Sequence, residues 1–315
     1  MSNADILITA VLPPLLSVPL ARDYRCIDYV KSTDKSALLA AEGANIRGLV
    51  QGGGTVQSTE LLDALPKLEI ISVFGVGYDG VPIDYCRKRG IQVTNTPDVL
   101  TEDVADTAVA LLLMCARGFL TANRLLLKGD WNSGSGTLTT KVAGKRAGIL
   151  GLGRIGKAIA SRLTALEMHI AYSGRNKQDV AYEFVPDLAA LAALSDFLII
   201  AAPGGPATRN IVDADVLKAL GSNGTLINIA RGTLIDEAAL VAALKAGTIR
   251  TAGLDVFANE PNVPAELLAM DNVVLLPHVG SATSETRQAM GDLCRANLDS
   301  WFAGEGVKTL VPELR

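Results

Sequence analysis

The chain has 315 residues, of which 49% are hydrophobic and 20% charged, and its net charge is −4. This length exceeds what one ordinary hydrophobic core organises and predicts two domains, and the composition is typical of a folded chain. Because the sequence contains no basic run or Lys/Arg-rich stripe, nucleic acids and anionic membranes are excluded as expected partners.

Cysteine usage and the N-terminal segment indicate where the protein works. The four cysteines are scattered and form no C-x-x-C or Cys/His cluster, so we expect free thiols in the cytoplasm and no metal site. The apolar stretch from Ile6 to Leu20 resembles a signal sequence, but Asp5 precedes it and three prolines interrupt it. We expect a strand over residues 5–10 and then a turn.

No apolar run of about 18 residues occurs, so no membrane span is predicted.

Short apolar runs alternate with longer helical patterns almost throughout the chain. Such alternation predicts parallel sheets that helices cover on both faces. We expect strands at Ile6–Thr9, Gly48–Gln51, Ile70–Phe74, Gln92–Thr94, Arg146–Leu150, His169–Ser173, Phe197–Ala201, Leu226–Ala230, Gly253–Val256 and Val273–Leu276. Helical patterns lie between them, for example at Asp34–Ala41, Ile155–Leu166 and Glu237–Ala246.

The alternation breaks once, in the stretch from Glu102 to Lys141. A long apolar helical pattern runs from Glu102 to about Lys128, and a polar, Gly- and Ser-rich stretch follows at 129–141. We expect a loop there and a domain boundary at this break. A second long helix is predicted from Ser281 to Phe302.

A glycine-rich motif follows the strand at residues 146–150 and opens a helical pattern, which is the context that a dinucleotide-binding turn requires. Its first glycine permits a tight turn, its second lets backbone N–H groups approach a pyrophosphate, and its third lets the helix pack closely on the strand. The helix N-terminus then stabilises the phosphates. The motif consists of Gly151, Leu152, Gly153, Arg154, Ile155 and Gly156.

The end of the next strand predicts the choice of dinucleotide. An NAD enzyme usually has Asp or Glu there, which binds the ribose 2′-hydroxyl. This chain instead has Ser173, Gly174, Arg175 and Asn176, with no carboxylate at the strand end. Ser173 can donate to a 2′-phosphate, and Arg175 can bind it through charge-assisted bonds, with added charge from Lys177. We therefore predict that NADPH is the hydride donor and that NADH is less favoured. The alternative is that the enzyme uses both dinucleotides.

A candidate acid lies in a loop near the end of the chain. Reducing a ketone by hydride transfer needs a proton donor for the developing alkoxide, and histidine is the natural acid near neutral pH. Of the two histidines, His169 begins a strand pattern and is predicted to be structural, whereas His278 follows a strand end. Because sites of α/β proteins lie at the carboxyl ends of strands, His278 is the preferred acid.

Charged residues follow two further strand ends, Arg231 after residues 226–230 and Glu260 after residues 253–256. Both are expected at the edge of the sheet where His278 lies. Arginine can make bidentate contact with a substrate carboxylate and polarise the carbonyl. A carboxylate bonded to the imidazole stabilises its protonated form.

Together these motifs resemble the D-isomer-specific 2-hydroxyacid dehydrogenases, above all the glyoxylate/hydroxypyruvate and hydroxyphenylpyruvate reductases. The resemblance covers essentially the whole chain. It rests on G-L-G-R-I-G (151–156), N-I-A-R-G-T-L-I-D (228–236), G-L-D-V-F-A-N-E-P (253–261) and L-P-H-V-G-S-A-T (276–283).

The resemblance implies a two-domain α/β fold with two doubly wound parallel sheets. A flavodoxin-like substrate domain would be discontinuous, at residues 1–98 and 281–315, and a Rossmann-type NAD(P)-binding domain would span residues 99–280, with substrate in the cleft. Members commonly form homodimers through the nucleotide-binding domains, which the apolar pattern at residues 102–128 fits. The implied activity is NADPH-dependent reduction of glyoxylate and hydroxypyruvate to glycolate and D-glycerate.

The resemblance also implies roles for single residues. His278 would be the general acid, Glu260 its partner and Arg231 the substrate clamp. Further substrate contacts are implied for Gln51, Gly52, Gly53, Val76 and Gly77. Further cofactor contacts are implied for Pro203, Ile229, Ala230, Asp255, His278 and Gly280.

Other assignments stay open at this point. The substrate alternative is hydroxyphenylpyruvate or a broad range of 2-keto acids. An alternative of another class is a dinucleotide-sensing regulatory protein, since corepressors that resemble the family keep the Arg, Glu and His but carry extra segments. Formate dehydrogenases have Gln where this chain has Glu260, and D-lactate dehydrogenases usually have an acidic residue at 173–175. Phosphoglycerate dehydrogenases often add a C-terminal domain, for which we expect no room after Arg315.

Overall fold

The computed structural model describes residues 4–133 and 138–315. Contacts divide the chain into two compact units. Unit 1 comprises Met1–Leu100 and Ala282–Arg315, and unit 2 comprises Thr101–Ser281. The sequence analysis placed the boundaries at residues 98 and 280.

Twelve strands and twelve helices make up the regular structure of the described residues. The strands are β1 (Asp5–Ile8), β2 (Arg25–Asp28), β3 (Ile46–Gly52), β4 (Ile70–Phe74), β5 (Gln92–Thr94), β6 (Arg146–Leu150), β7 (His169–Ser173), β8 (Glu183–Phe184), β9 (Phe197–Ile200), β10 (Thr225–Asn228), β11 (Thr251–Leu254) and β12 (Val273–Leu275). The helices are α1 (Pro14–Asp23), α2 (Lys35–Glu42), α3 (Thr59–Asp63), α4 (Ile83–Arg89), α5 (Thr101–Arg117), α6 (Phe119–Leu127), α7 (Arg154–Ala165), α8 (Leu188–Ala193), α9 (Ala214–Leu220), α10 (Glu237–Lys245), α11 (Ala265–Leu268) and α12 (Ser284–Phe302).

Unit 1 is built on a parallel sheet of five strands in the order β2-β1-β3-β4-β5. This is the flavodoxin-like order, which confirms the predicted fold class. Strand side chains such as Leu49, Ile71 and Val73 are fully buried in its core. The C-terminal helix α12 packs on β4 and on α1.

Unit 2 is built on a parallel sheet of seven strands in the order β12-β11-β10-β9-β6-β7-β8. Counted from β6, this is the doubly wound dinucleotide-binding order with one strand added at an edge. The strand order reverses between β6 and β9, which is where such sheets bind their ligands. The predicted Rossmann-type architecture is therefore confirmed.

Three short elements depart from the sequence prediction. The N-terminal turn is instead the helix α1, which begins at Pro14; proline is favoured there because its missing N–H would have no helical partner. The strand β2 was not predicted because it buries only one of its four residues. The strand β8 has only two residues, too few to produce a periodic pattern.

The predicted long helix at 102–128 is two helices, α5 and α6, which are bent by 64° to each other. The break is Gly118, whose φ of 59° lies in the left-handed region that glycine favours. Within the described ranges no single helix is long and apolar enough to cross a membrane; only this bent pair, taken together, reaches the length and composition. Of the loop predicted at 129–141, Asp130–Ser133 form a 3-10 helix and residues 134–137 lie outside the described residues.

A buried amide ties the last residues of unit 1 to the loop after β4. The fully buried Asn297 accepts from the N–H groups of Lys308 and Thr309, both at 2.9 Å, and donates to the Thr309 hydroxyl at 2.9 Å. That hydroxyl donates to the Asn95 carbonyl at 2.6 Å, and Asn95 Nδ2 donates to the Val76 carbonyl at 2.8 Å. Residues far apart in the sequence therefore fix the loop that carries Val76.

We expect Asn297→Ala to lower the free energy of unfolding by about 1–3 kcal/mol, because it leaves the N–H groups of Lys308 and Thr309 without their acceptor. Urea unfolding followed by circular dichroism measures this. The matched control is Asn45→Ala, since Asn45 is exposed and its side chain makes no hydrogen bond in the described structure. Equal stability of the two variants would contradict the prediction.

Candidate active site

In the turn between β6 and α7, each of the three glycines has the surroundings that the motif predicts: two are closely packed, and the middle one faces open space. A Cβ on Gly151, whose φ is +95°, would lie 2.6 Å from the Ala202 nitrogen. A Cβ on Gly156 would lie 2.1 Å from the Gly151 carbonyl oxygen. A Cβ on Gly153 would meet nothing within 4 Å, and no side chain caps the helix that begins there. The turn thus leaves open space before a helix N-terminus, which fits a dinucleotide pyrophosphate.

The loop after β7 presents cations, as expected, but Ser173 has another role. Its side chain is buried, and its hydroxyl donates to the Pro186 carbonyl at 3.2 Å. The hydroxyl is thus bound to the backbone here, and its contact with a 2′-phosphate stays a prediction. Arg175, Asn176 and Lys177 are exposed, and none makes a hydrogen bond or ion pair with a described residue.

The preferred acid and its predicted partner are in direct contact. His278 Nδ1 lies 2.7 Å from Glu260 Oε2, and the other Glu260 oxygen accepts from the Phe257 N–H at 3.1 Å. The two side chains remain 42% and 35% exposed, respectively. Because Nδ1 faces Glu260, Nε2 is the ring nitrogen left to donate, and it has no partner among the described residues.

Opposing effects set the pKa of Glu260, which lies below its ordinary value. Burial is the largest single effect and raises this pKa. The hydrogen bond and positive charge of His278, the Phe257 N–H and the charge of Arg231 together lower it by more. Glu260 is therefore ionised at neutral pH.

The third predicted catalytic residue, Arg231, is positioned by a buried amide. Asn228 at the end of β10 donates to the Arg231 carbonyl at 2.8 Å and accepts from the Ala230 N–H at 3.0 Å. A Cβ on the next residue, Gly232, would lie 1.9 Å from the Phe257 carbonyl carbon. This close approach places the loop of Arg231 against the loop of Glu260. Sequence reasoning did not single out Asn228, although a buried polar residue at a strand end was the available signal.

Asp255 anchors the loop of the acid. Its carboxylate accepts from the N–H groups of Val279 at 2.7 Å and Gly280 at 2.8 Å, and its carbonyl accepts from the His278 N–H at 2.9 Å. Burial raises the pKa of Asp255, and the two N–H groups counteract part of that rise. The sequence analysis expected a cofactor contact for this residue, which stays a prediction; the structure gives it a role in positioning the loop.

The remaining predicted cofactor residues lie along the same edge of the sheet. Pro203 follows β9, is exposed and accepts from the Thr208 hydroxyl at 2.9 Å. Ile229 is buried and Ala230 half-buried after β10. The described residues contain no cluster of three His, Cys, Asp or Glu side chains that suits a metal ion.

In unit 1 the predicted substrate residues lie at the carboxyl ends of β3 and β4. Gly52, Gly53, Val76 and Gly77 are half-buried. Gln51 has no exposed surface, and its amide donates to the Thr55 carbonyl at 3.0 Å. It therefore stabilises the loop from inside and does not face outwards as the sequence analysis expected.

Two alanine substitutions separate folding from cofactor binding. Gly156→Ala should destabilise unit 2, because its Cβ would overlap the Gly151 carbonyl. Gly153→Ala should leave the melting temperature unchanged and weaken NADPH binding about tenfold or more, because its methyl group enters the space meant for phosphate. Thermal unfolding and fluorescence titration with NADPH measure the two effects. Unchanged NADPH affinity in Gly153→Ala would contradict the assignment of the turn.

Comparison with known proteins agrees with this geometry. The family model described as D-isomer specific 2-hydroxyacid dehydrogenase, NAD binding domain, matches residues 109–280. Glyoxylate/hydroxypyruvate reductase A of Arabidopsis thaliana is 45% identical over 312 residues, which cover 99% of this chain and 100% of that protein. Hydroxyphenylpyruvate reductase of Plectranthus scutellarioides is 43% identical over 312 residues, again 99% and 100% of the two chains.

A solved structure extends the likeness to three dimensions. It is the NADPH-dependent glyoxylate/hydroxypyruvate reductase of Sinorhizobium meliloti in complex with NADP and malonate, with a TM-score of 0.91 and 43% identity over 99% of this chain and 98% of that chain. The architecture is thus that of one enzyme family. The chain belongs to the D-isomer specific 2-hydroxyacid dehydrogenases.

Proposed function

We propose that this enzyme reduces glyoxylate and hydroxypyruvate to glycolate and D-glycerate with NADPH. The observation that carries the proposal is the contact between His278 and Glu260, at 2.7 Å, beside the loop of Arg231 and in the same unit as the dinucleotide turn. The names of the relatives compared above support this choice of substrates.

The residues of unit 2 supply an acid, a counter-charge and a clamp. Bound NADPH supplies a hydride to the keto carbon. His278 donates the proton on Nε2 to the carbonyl oxygen as negative charge develops there. Glu260 holds the ring through Nδ1 and supplies a negative charge beside it, and Arg231 binds the substrate carboxylate and polarises the carbonyl. Asp255 keeps the imidazole in place through the backbone on either side of it.

The preference for NADPH rests on charge at the end of β7. Arg175 and Lys177 are exposed, unpaired with described residues and close in sequence to Ser173, where no carboxylate occurs. A carboxylate there would bind the 2′-hydroxyl of NADH and repel a 2′-phosphate. The cations instead attract the phosphate.

The proposal includes substrate contacts by Gly52, Gly53, Val76 and Gly77. The cytoplasm is the proposed compartment, because the four cysteines, Cys26, Cys86, Cys115 and Cys294, are all free thiols. Hydroxyphenylpyruvate is the second candidate substrate, since a reductase of that name matches this chain along its whole length.

Replacing the acid tests the reaction. His278→Ala should lower kcat by about 10²–10⁴-fold and leave the Kd of NADPH nearly unchanged, because only the proton donor is lost. The measurement is the initial rate of NADPH oxidation with glyoxylate, hydroxypyruvate and hydroxyphenylpyruvate, run in parallel with NADH. Near-normal turnover by His278→Ala would refute the assignment. Tight NADPH binding by the wild type without turnover of any of these acids would favour the regulatory alternative.

Replacing the counter-charge should lower turnover. Glu260→Gln keeps the shape of the side chain but removes the negative charge 2.7 Å from His278 Nδ1, and we expect kcat/KM with glyoxylate to fall about tenfold or more. The initial rate of NADPH oxidation measures this effect. An unchanged kcat/KM would show that Glu260 only orients the ring. Glu266→Gln on α11 is the control, since Glu266 is exposed and forms no ion pair in the described structure.

We also propose a homodimer formed through unit 2. The helix α6 has no buried residue, although most of its side chains are apolar. Leu127 is 77% exposed, and Leu126, Phe119, Trp131 and Leu138 are also exposed. Burying this surface against a second copy removes apolar area from water.

Sedimentation velocity tests the dimer. The wild type should have twice the mass of the 32.9 kDa chain, and Leu127→Glu should dissociate it, because the carboxylate would be buried in an apolar interface. The control is Leu268→Glu on α11, another exposed leucine of unit 2. A monomeric wild type, or a Leu127→Glu variant that stays dimeric at micromolar concentration, would contradict this arrangement.

A further inference from the structure

The cationic loop after β7 is fixed at its far end by a glutamine that the sequence analysis did not consider. Gln178 Nε2 donates to the Leu152 carbonyl at 2.8 Å, and Leu152 belongs to the dinucleotide turn. The backbone N–H of Gln178 donates to the Tyr172 hydroxyl at 2.7 Å. Tyr172 is fully buried in β7. One residue thus joins the loop, its parent strand and the glycine-rich turn.

The near end of the loop is fixed as well. Ser173 is buried, and its hydroxyl bonds to the Pro186 carbonyl at 3.2 Å. Between these two anchors lie only Gly174, Arg175, Asn176 and Lys177, and the last three have no partner of their own among the described residues. The position of both cations relative to the turn therefore depends on the anchors.

We propose that Gln178 is a positioning residue for the choice between NADPH and NADH. By binding the Leu152 carbonyl, it holds Arg175 and Lys177 beside the turn that receives the pyrophosphate, within reach of a 2′-phosphate. The inference rests on the proposed use of NADPH. It goes further by assigning selectivity to a residue that carries no charge and acts only through the placement of its neighbours.

The chemistry predicts an unequal effect on the two dinucleotides. They share the pyrophosphate, so a change in the turn itself would weaken both. Only NADPH carries the 2′-phosphate, a dianion near neutral pH, and its attraction to a cation falls with distance and with exposure to water. Loss of this anchor should therefore weaken the binding of NADPH and leave the affinity for NADH nearly unchanged.

Gln178→Met is the informative variant, because methionine keeps an unbranched side chain of similar length but cannot donate to the Leu152 carbonyl. Gln288→Met is the matched control. Gln288 lies on α12 in unit 1, is exposed and bonds to Asp292 at 3.0 Å. Arg175→Asp serves as the reference for loss of the cation itself.

The experiment is a calorimetric titration of each purified, full-length protein with NADPH and with NADH, with thermal unfolding as a check on folding. For Gln178→Met we expect the Kd of NADPH to rise about tenfold, with a change of less than about twofold for NADH. Arg175→Asp should show a larger change in the same direction, and Gln288→Met should match the wild type.

The outcomes separate this inference from the proposed function. Equal weakening of both dinucleotides in Gln178→Met, or no change in either, would overturn the positioning role while leaving NADPH as the favoured donor. If the wild type binds NADH more tightly than NADPH, the proposed cofactor preference is wrong, and so is the role of Gln178 in selecting NADPH. If Gln178→Met unfolds at a lower temperature, Gln178→Glu provides a second test. It also lacks the donor and adds a negative charge, so it should weaken NADPH at least as much.

Discussion

A buried carboxylate determines where the reactive imidazole lies. Asp255 accepts hydrogen bonds from two successive N–H groups after His278, and its own carbonyl accepts the N–H of His278. His278 has a φ of +55°, a left-handed conformation that residues other than glycine seldom adopt. The three bonds compensate for that conformation. The direction of the ring, its contact with Glu260 and the exposure of Nε2 all depend on this fixed piece of backbone.

Two carboxylates near the acid therefore perform different tasks because their surroundings differ. Burial raises the pKa of Asp255, which binds the backbone. The pKa of Glu260 is lowered, because its contacts with His278 and the Phe257 N–H and the charge of Arg231 together outweigh burial. Only Glu260 touches the imidazole through its side chain. Such a division between acidic groups, set by environment and not by residue type, is a recurrent feature of active sites.

The sequence was sufficient to predict the features that repeat locally. The strand–helix alternation predicted both sheets, and the spacing of Gly151, Gly153 and Gly156 predicted a turn whose three environments the structure shows. Placing charged residues at strand ends predicted the contact of His278 with Glu260. These three predictions worked because they depend on periodicity, on a local motif or on the common edge of a parallel sheet.

Features that depend on contacts between distant residues were beyond sequence reasoning. Gln51 was expected to face the substrate, but its neighbours enclose it completely. Ser173 was expected to bind phosphate, and no pattern in the sequence indicated that its hydroxyl donates to the Pro186 carbonyl. The helix break at Gly118 and the bond from Gln178 to Leu152 each require knowledge of what lies nearby in space. None of these leaves a periodic pattern in the chain.

The order of the units along the polypeptide has a consequence for synthesis on the ribosome. Unit 2 is continuous and has all its residues once Ser281 has emerged, whereas β5 still lacks the bond from the Val311 N–H to the Val93 carbonyl, at 3.0 Å. The support that reaches Val76 through Asn95 also waits for Thr309. Because domains generally fold as units during translation, a nascent chain completes its nucleotide-binding half before its first half acquires these last supports.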